Sequence, residues 1–544
     1  MQVTIDTENR SGRIRNFWNH IHFHPTDAVE DRWGKEILDR VAADKVAEYV
    51  RLHTMFEDLV RRGEHGELVF DFSDTDRRLD SMVSRGFKLL LCFDFMPPCM
   101  SSDLRNVSNL RYKNKTFNRS APVDWEEWRK VCEVYTRHLA ERYGMETLSR
   151  WQFHCWNEPD SGYWLTPAGN DQADSNGETE IKLAEYLKLY DFFESGVSAV
   201  DRRIRVGGPS CAGSDRFIRQ FLEHTASGRN HVSGTIGTRL DFIGVHCYSQ
   251  GIYSNLPNRS FTSPDNILQR LKTVRAIADE TGHAETPLLL DEFGIAGGGW
   301  IGIDRDPRMI FRETEYHSAF YIRLMERILA APELKVEKMM ICLSGQEHGI
   351  RDFDGFRTFF TANGFAKPVY NAYRLAAKLE GEAPACRIEG KNEHCGITSA
   401  LSEEGTLRIL LSCFEDDFYK TAESVPVRLE ITGLRGKYRL RHSRIDKQFS
   451  NAFSKWAEMG SPPAPTMYQR SKIADAGELQ PYSPEEVIFA DGVFARDLVM
   501  THNAVSLLEF LPEQGGCREG ATGKERFSHA SGGSPADNGR KTVS

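Results

Sequence analysis

The chain has 544 residues, 40% of them hydrophobic and 27% charged, the balance of a folded globular protein with room for two or three domains. A net charge of −9 argues against a nucleic-acid or anionic-membrane partner. Eleven cysteines without a CxxC pair read as reduced thiols, Met1–Arg10 has no apolar leader, and no run is long enough for a membrane span, so a cytoplasmic protein is expected.

Residues 2–5 alternate as a short strand. In Asn16–His24 (N-F-W-N-H-I-H-F-H), a strand would put His20, His22 and His24 on one face. Helical periodicity follows over Glu36–Val50, and the strand-like Tyr49–Phe56 carries Arg51 and His53. Leu79–Arg85 reads as a helix end, and Phe87–Phe95 is an apolar strand stopped by Met96-Pro97-Pro98. Trp125–Tyr143 is a helix with Trp125, Trp128, Val131, Tyr135 and Leu139 on its core face, closed by Gly144. Trp151–Pro159 (W-Q-F-H-C-W-N-E-P) alternates bulky residues and stops at a proline that cannot continue a ladder, which leaves Glu158 at the strand's end. Helix Ala184–Val200, strand Ile204–Val206 ended by Gly207-Gly208-Pro209, helix Asp215–His224 and strand Asp241–Tyr248 come next. They are followed by helix Asp265–Thr281, strand Pro287–Glu292, helix Thr314–Leu329, strand Val336–Ser344 and helix Tyr370–Leu379.

Eight strand candidates, most separated by helices, predict a parallel sheet, and over this length a closed (β/α)8 TIM barrel. Gly297-Gly298-Gly299, after strand seven, lacks the Lys-Ser/Thr of a phosphate loop. After about residue 383, Thr406–Phe414, Val425–Ile431, Lys437–His442 and Ala504–Leu511 read as strands without intervening helices, an additional C-terminal all-β sandwich domain. The expected layout is 1–15 as an N-terminal strand joining the sandwich, 16–382 as the barrel, 383–513 as the sandwich and 514–544 as a disordered tail.

A second glutamate, Glu292, ends Leu288-Leu289-Leu290-Asp291-Glu292; strand alternation predicts that Asp291 points the other way. On strands four and seven, Glu158 and Glu292 would face each other across the barrel mouth, where barrel active sites sit. Two carboxylates across a sugar-sized cleft suit glycoside cleavage, one protonating the leaving oxygen and the other attacking or activating water. A gap of roughly 5–5.5 Å means a retaining mechanism and ~6.5–9.5 Å an inverting one. Burial beside aromatics raises a carboxyl pKa, which suits Glu158 as general acid; a loop-entry Glu capping the next helix is the plain alternative.

W-N-E-P on strand four with a Glu ending strand seven resembles the clan of retaining (β/α)8 glycosidases. The finer resemblance, over roughly residues 15–380, is to glycoside hydrolase family 39, the β-xylosidase and α-L-iduronidase family. Tyr49–Asp58, Phe72–Pro97 (with Asp76, Asp80 and F-D-F-M-P), Val206–Pro209, Asp241–Tyr248 and Phe356–Tyr373 carry it, in the family's order. The resemblance implies catalytic Glu158 (acid/base) and Glu292 (nucleophile), with Asn157 on the sugar 2-hydroxyl and Tyr248 bonded to the nucleophile. It further implies His246 at the mouth, His53 with His22 or His24 on sugar hydroxyls, and Trp156 and Phe293 as an apolar floor. No cofactor or metal is implied; the substrate is a short oligosaccharide or glycoside, a β-xyloside first, with an α-L-iduronide-like uronide or other glycoside as alternatives. Oligomerisation with identical chains stays open. The chain departs from the family at Phe293-Gly294, where Trp-Asn is usual, in Ile341–Glu347, which lacks the usual Trp, and in its His-rich first-strand loop. Asp94 and Asp160 are expected to serve the lip and loops, and Glu347 and His348 are further candidates for lining the pocket.

Two other readings compete. His22-x-His24 after a first barrel strand is also how a metal-dependent amidohydrolase begins, but only His246 supplies a further ligand of the required kind. A non-catalytic carbohydrate-binding barrel fits the departures near Glu292, and the intact Glu158 and Glu292 argue against it.

Overall fold

The computed structural model describes residues 1–25, 27–113, 115–165, 176–249, 262–344, 351–390, 392–420 and 423–513. The candidates Glu347 and His348 and the tail from 514 lie outside the described residues.

Eight parallel strands close into a barrel. They are β1 (His20–Phe23), β2 (Tyr49–His53), β3 (Lys88–Phe93), β4 (Gln152–Cys155), β5 (Arg205–Cys211), β6 (Phe242–Tyr248), β7 (Leu288–Gly294) and β8 (Val336–Leu343), with β8 pairing back onto β1. The strands are apolar on both faces because one face fills the barrel and the other meets a helix layer. Leu90, Phe242, Leu289 and Met340 plug the interior. Helix Trp125–Tyr143 shows how the outer layer is built. Asp124 caps it by accepting from the Glu126 N–H, Trp128, Val131, Cys132, Tyr135 and Leu139 are buried, and Gly144 ends it at φ +82°. Each such apolar side chain contributes ~1.5–3 kcal/mol by leaving water.

Strand β5 does not stop at Gly207-Gly208-Pro209; it runs on to Cys211, paired with β4 at Gly207 and with β6 at Gly207, Gly208 and Pro209. The glycines serve packing here: a Cβ on Gly207 would lie 2.5 Å from the Phe242 ring.

The second sheet has seven strands: the N-terminal strand Gln2–Arg13, β9 (Glu382–Glu389), β10 (Cys395–Leu401), β11 (Leu407–Cys413), β12 (Ser424–Ile445), β13 (Glu486–Thr501) and β14 (Ala504–Pro512). Gln2–Arg13 pairs antiparallel with β9 and parallel with β12, so the sheet returns on itself around Val3, Ile5, Leu407, Ile409, Val427, Leu429 and Phe510. The two strands predicted over 425–442 are one strand, bulged between Thr432 and Leu434, where Gly433 takes φ +85°. Helices Ala452–Glu458 and Met467–Gly477 interrupt this module, contrary to the reading of strands alone. They dock on the barrel, where the Asn371 amide donates to the carbonyls of Ser450 and Gly477. Among the described residues no helix is long and apolar enough to cross a membrane.

Candidate active site

The hub of the barrel mouth is Arg51, which β2 projects inward and which is fully buried. Its guanidinium donates to Glu292 Oε2 (2.9 Å), Asn157 Oδ1 (2.6 Å) and His154 Nε2 (3.1 Å), and lies 3.6 Å from Asp291 Oδ2. Burial opposes its charge, but Asp291 and Glu292 more than restore it. His22, from β1, sits 3.2 Å from His53 through their Nε2 atoms, and His53 Nδ1 is 2.5 Å from Asp94 Oδ2. Burial holds both imidazoles below the usual range, helped at His22 by Arg51 and opposed at His53 by Asp94.

Strand β7 presents two carboxylates, not one. Asp291, expected on the outer face, is buried inside: it accepts from Ser210 Oγ at 2.7 Å and lies 3.7 Å from His246 Nε2. The register shifts between Leu290 and Phe293 against β8, and between Gly244 and His246 on β6, bulge the wall and turn consecutive side chains inward. Gly244 is required by this crowding, since a Cβ there would be 2.2 Å from Ser210 Oγ. Glu292 accepts from the Tyr248 hydroxyl at 2.5 Å and stands 3.3 Å from His22 Nδ1. Burial would raise its pKa, but His246, Arg51, Arg357 and the Tyr248 bond hold it down to about 2.

Glu158 follows the end of β4 on a strained turn, with Trp156 at φ +61° and Glu158 at φ +45°. Its N–H donates to the Ser210 carbonyl, which fixes the turn on β5. Asp160 accepts from the N–H groups of Ala212, Gly213 and Ser214, so it serves the loop that leads into helix Asp215–Ser227. His246 Nδ1 is 2.9 Å from Glu158 Oε1. Burial raises the Glu158 pKa, His246 opposes the rise, and Glu292 adds to it. Burial also works against a charge on His246, but Glu292, Asp291 and Glu158 push it up to about 10. One ligand atom each of Glu158, His246 and Glu292 lie within 4.8 Å of one another.

The structure brings Glu158, Glu292, Asn157, His22, His53, His246 and Tyr248 together. His24 lies at the rim, 6.0 Å from the Trp300 ring. Trp156 and Phe293 are not a floor for a sugar. Trp156 is wholly buried among Phe95, Trp128 and Trp164, because the left-handed turn swings it into the wall. Phe293, 1% exposed, belongs to the large apolar core cluster. Sequence reasoning missed Arg51 as the hub, Asp291, Ser210 and Arg357. Arg51 carried a signal, a cation in the buried run Y-V-R-L-H at the same parity as His53. Arg357 carried none: it reaches the mouth from a segment after β8, with its guanidinium 4.4 Å from the Tyr248 ring centroid.

Among the described residues three ligand-like triads occur here: His22/Glu292/Cys342, His53/Cys92/Asp94 and Glu158/His246/Glu292. Arg51, permanently charged and within 3.1–3.3 Å of His22, opposes a divalent cation beside it. This counts against the amidohydrolase reading of His22 and His24.

The sequence model of the family described as "Glycosyl hydrolases family 39" matches residues 1–484. A protein named beta-xylosidase from Caldicellulosiruptor saccharolyticus is 24% identical over 524 residues, covering 93% of this chain and 98% of its own. A protein named alpha-L-iduronidase from Mus musculus is 22% identical over 525 residues, covering 87% and 75%. Among solved structures, a monomeric beta-xylosidase from Caulobacter crescentus CB15 superposes with a TM-score of 0.77 at 23% identity, covering 94% of this chain and 99% of that one; this likeness speaks to fold.

Proposed function

Since this chain belongs to glycosyl hydrolases family 39 and its substrate is a carbohydrate, we propose that it removes a terminal glycosyl residue with retention, with Glu158 as acid/base and Glu292 as nucleophile. The observation that carries this reading is the asymmetry of two carboxylates within 4.8 Å: Glu158 is pushed toward its protonated form and Glu292 is held ionised. Oxygens within that limit fit the short gap of about 5–5.5 Å that lets a carboxylate reach the anomeric carbon better than the ~6.5–9.5 Å that leaves room for a water.

In the first step Glu158 gives its proton to the leaving oxygen while a Glu292 oxygen attacks the anomeric carbon, and the glycosidic bond breaks. In the second, Glu158 takes a proton from water, which attacks the same carbon and frees Glu292. Tyr248 and Arg51 keep Glu292 ionised between turnovers. With its oxygen fixed on Arg51, Asn157 offers its amide N–H to the sugar 2-hydroxyl. His246 holds one oxygen of Glu158 and leaves the other to carry the transferred proton.

The favoured substrate is a short β-xyloside, in line with the names of the xylosidase relatives. One observation favours a second reading, a uronide such as an α-L-iduronide. Arg357 is buried beside Tyr248, and its Nη1 has no hydrogen-bond partner among the described residues. A sugar carboxylate would satisfy it; a xyloside has no such group. We place the enzyme in the cytoplasm, where cysteines such as the ten unbridged ones described here stay reduced.

The test is hydrolysis of nitrophenyl glycosides, xyloside and uronides included, by wild type and Glu158→Ala, with azide added to the variant. Azide rescue on one sugar supports the role of Glu158 and identifies the glycone. Turnover by Glu158→Ala at the wild-type rate would overturn the assignment. Absence of wild-type turnover on every sugar would favour the binding-only reading.

A further inference from the structure

A pair of thiols stands in the β-module, apart from the glycosidase chemistry. Cys395 opens β10 and Cys413 closes β11, and the antiparallel register sets them directly opposite each other. Such partners have Cα atoms about 4.5–5.5 Å apart, inside the ~4.4–6.8 Å that a disulfide spans. Both side chains face the module's apolar core, with Cys395 7% exposed and Cys413 fully buried. The Cys395 thiol donates to Cys413 Sγ at 2.9 Å. On the opposite face of the same two strands, Ser412 Oγ donates to Glu326 of helix Glu315–Leu329, and Gly396 lets that glutamate approach. The thiols therefore lie directly behind the contact between module and barrel.

We propose that Cys395 and Cys413 are a modification site: hydrogen peroxide converts them to a disulfide that joins β10 to β11 behind this contact. The hydrogen bond between them holds Cys395 below the ordinary thiol range, while the same bond and burial push Cys413 up. Cys395, the more exposed of the two, is thus the first nucleophile. Its sulfur attacks one peroxide oxygen, the O–O bond breaks, and water leaves with a sulfenic acid on Cys395. The Cys413 sulfur then attacks Cys395 Sγ, the S–S bond forms, and the hydroxyl leaves as a second water with the Cys413 proton. Two thiols are oxidised and one hydrogen peroxide is reduced to two waters. The remaining described cysteines, among them Cys132 and Cys155 in the barrel's core, Cys92 beside Asp94 and exposed Cys386, stay as thiols.

The experiment treats the full chain with stoichiometric hydrogen peroxide, blocks free thiols with N-ethylmaleimide in denaturant, and maps the peptides. The expected result is one cross-linked peptide joining Cys395 to Cys413, reversed by dithiothreitol, and a melting temperature raised by about 2–4 °C or more. Glycosidase activity should be unchanged, because the pair belongs to the other core. Cys413→Ser and Cys395→Ser should each leave the partner free to be alkylated or over-oxidised. The proposal is overturned if both cysteines of the wild type carry the blocking reagent after peroxide, or if they are linked to other cysteines. The wild-type map decides even where a serine variant folds poorly.

Discussion

The two sides of the barrel mouth place the same carboxyl group in opposite environments. Glu292 stands on a bulged strand among Arg51, Tyr248 and His22, with Arg357 and His246 nearby, and its charge is held by hydrogen bonds and cations. Glu158 stands on a strained turn with His246 as its one side-chain hydrogen-bond partner among the described residues, and burial dominates. The residue type is identical; the neighbours decide which carboxylate attacks and which carries the proton.

The largest effect should separate the two sides by rate. Glu292→Gln should lower turnover on the order of 10⁴-fold or more, the scale of losing a nucleophile, for all leaving groups alike. Glu158→Gln should lower it by about 10²–10⁴-fold, and less for a nitrophenyl than for a sugar leaving group, because a good leaving group needs no proton. Equal losses across leaving groups for both variants would break the comparison.

Arg51→Met attacks the support of one side only. Removing one partner of a buried charge cluster costs about 3–5 kcal/mol, so the melting temperature should fall. In thermal melts, a drop no larger than that of a surface substitution would contradict the hub role. Tyr248→Phe removes one hydrogen bond to a charged group, worth about 1.5–3 kcal/mol. It should shift the acidic limb of the pH–rate profile upward and leave the alkaline limb in place, since activity needs Glu292 ionised and Glu158 protonated.

The smallest effect is on stability against pH, and its sign differs between the two sides. Glu292 has a lowered pKa, so its contribution is present above the usual 4.5 and is lost as pH falls toward about 2. Glu158 has a raised pKa, so its contribution is present below 4.5 and is lost as pH rises through its folded value. At pH 7 Glu292→Gln should therefore lower the melting temperature and Glu158→Gln should leave it unchanged or raise it. His246 follows the raised pattern: its contribution is full below 6.5 and lost as pH rises through about 10.

The barrel was legible because its strands are apolar runs between amphipathic helices, and Glu158 and Glu292 were legible as charges at the ends of such runs. Asp291 was misplaced because alternation holds only for a regular strand, and the bulge of β7 arises from tertiary pairing with β6 and β8. Trp156 was misplaced for a related reason: the residue after β4 leaves the extended region, and nothing in W-N-E-P announces a left-handed φ. Gly207-Gly208-Pro209 reads as a stop but continues a strand, since neighbours on both sides hold it in the ladder. Arg357 could not be found locally, because it enters the mouth from a segment after β8 to stack on Tyr248.

The most direct test is to trap the intermediate with a 2-deoxy-2-fluoro glycoside of whichever sugar the enzyme turns over, then digest the protein and locate the label. The electron-poor sugar slows both steps, and a good leaving group keeps the first faster than the second, so a covalent glycosyl-enzyme should accumulate. One label per chain, on Glu292, is expected. A label on Asp291, its inward-facing neighbour, or on Glu158 would contradict it, as would steady turnover with inversion and no label at all.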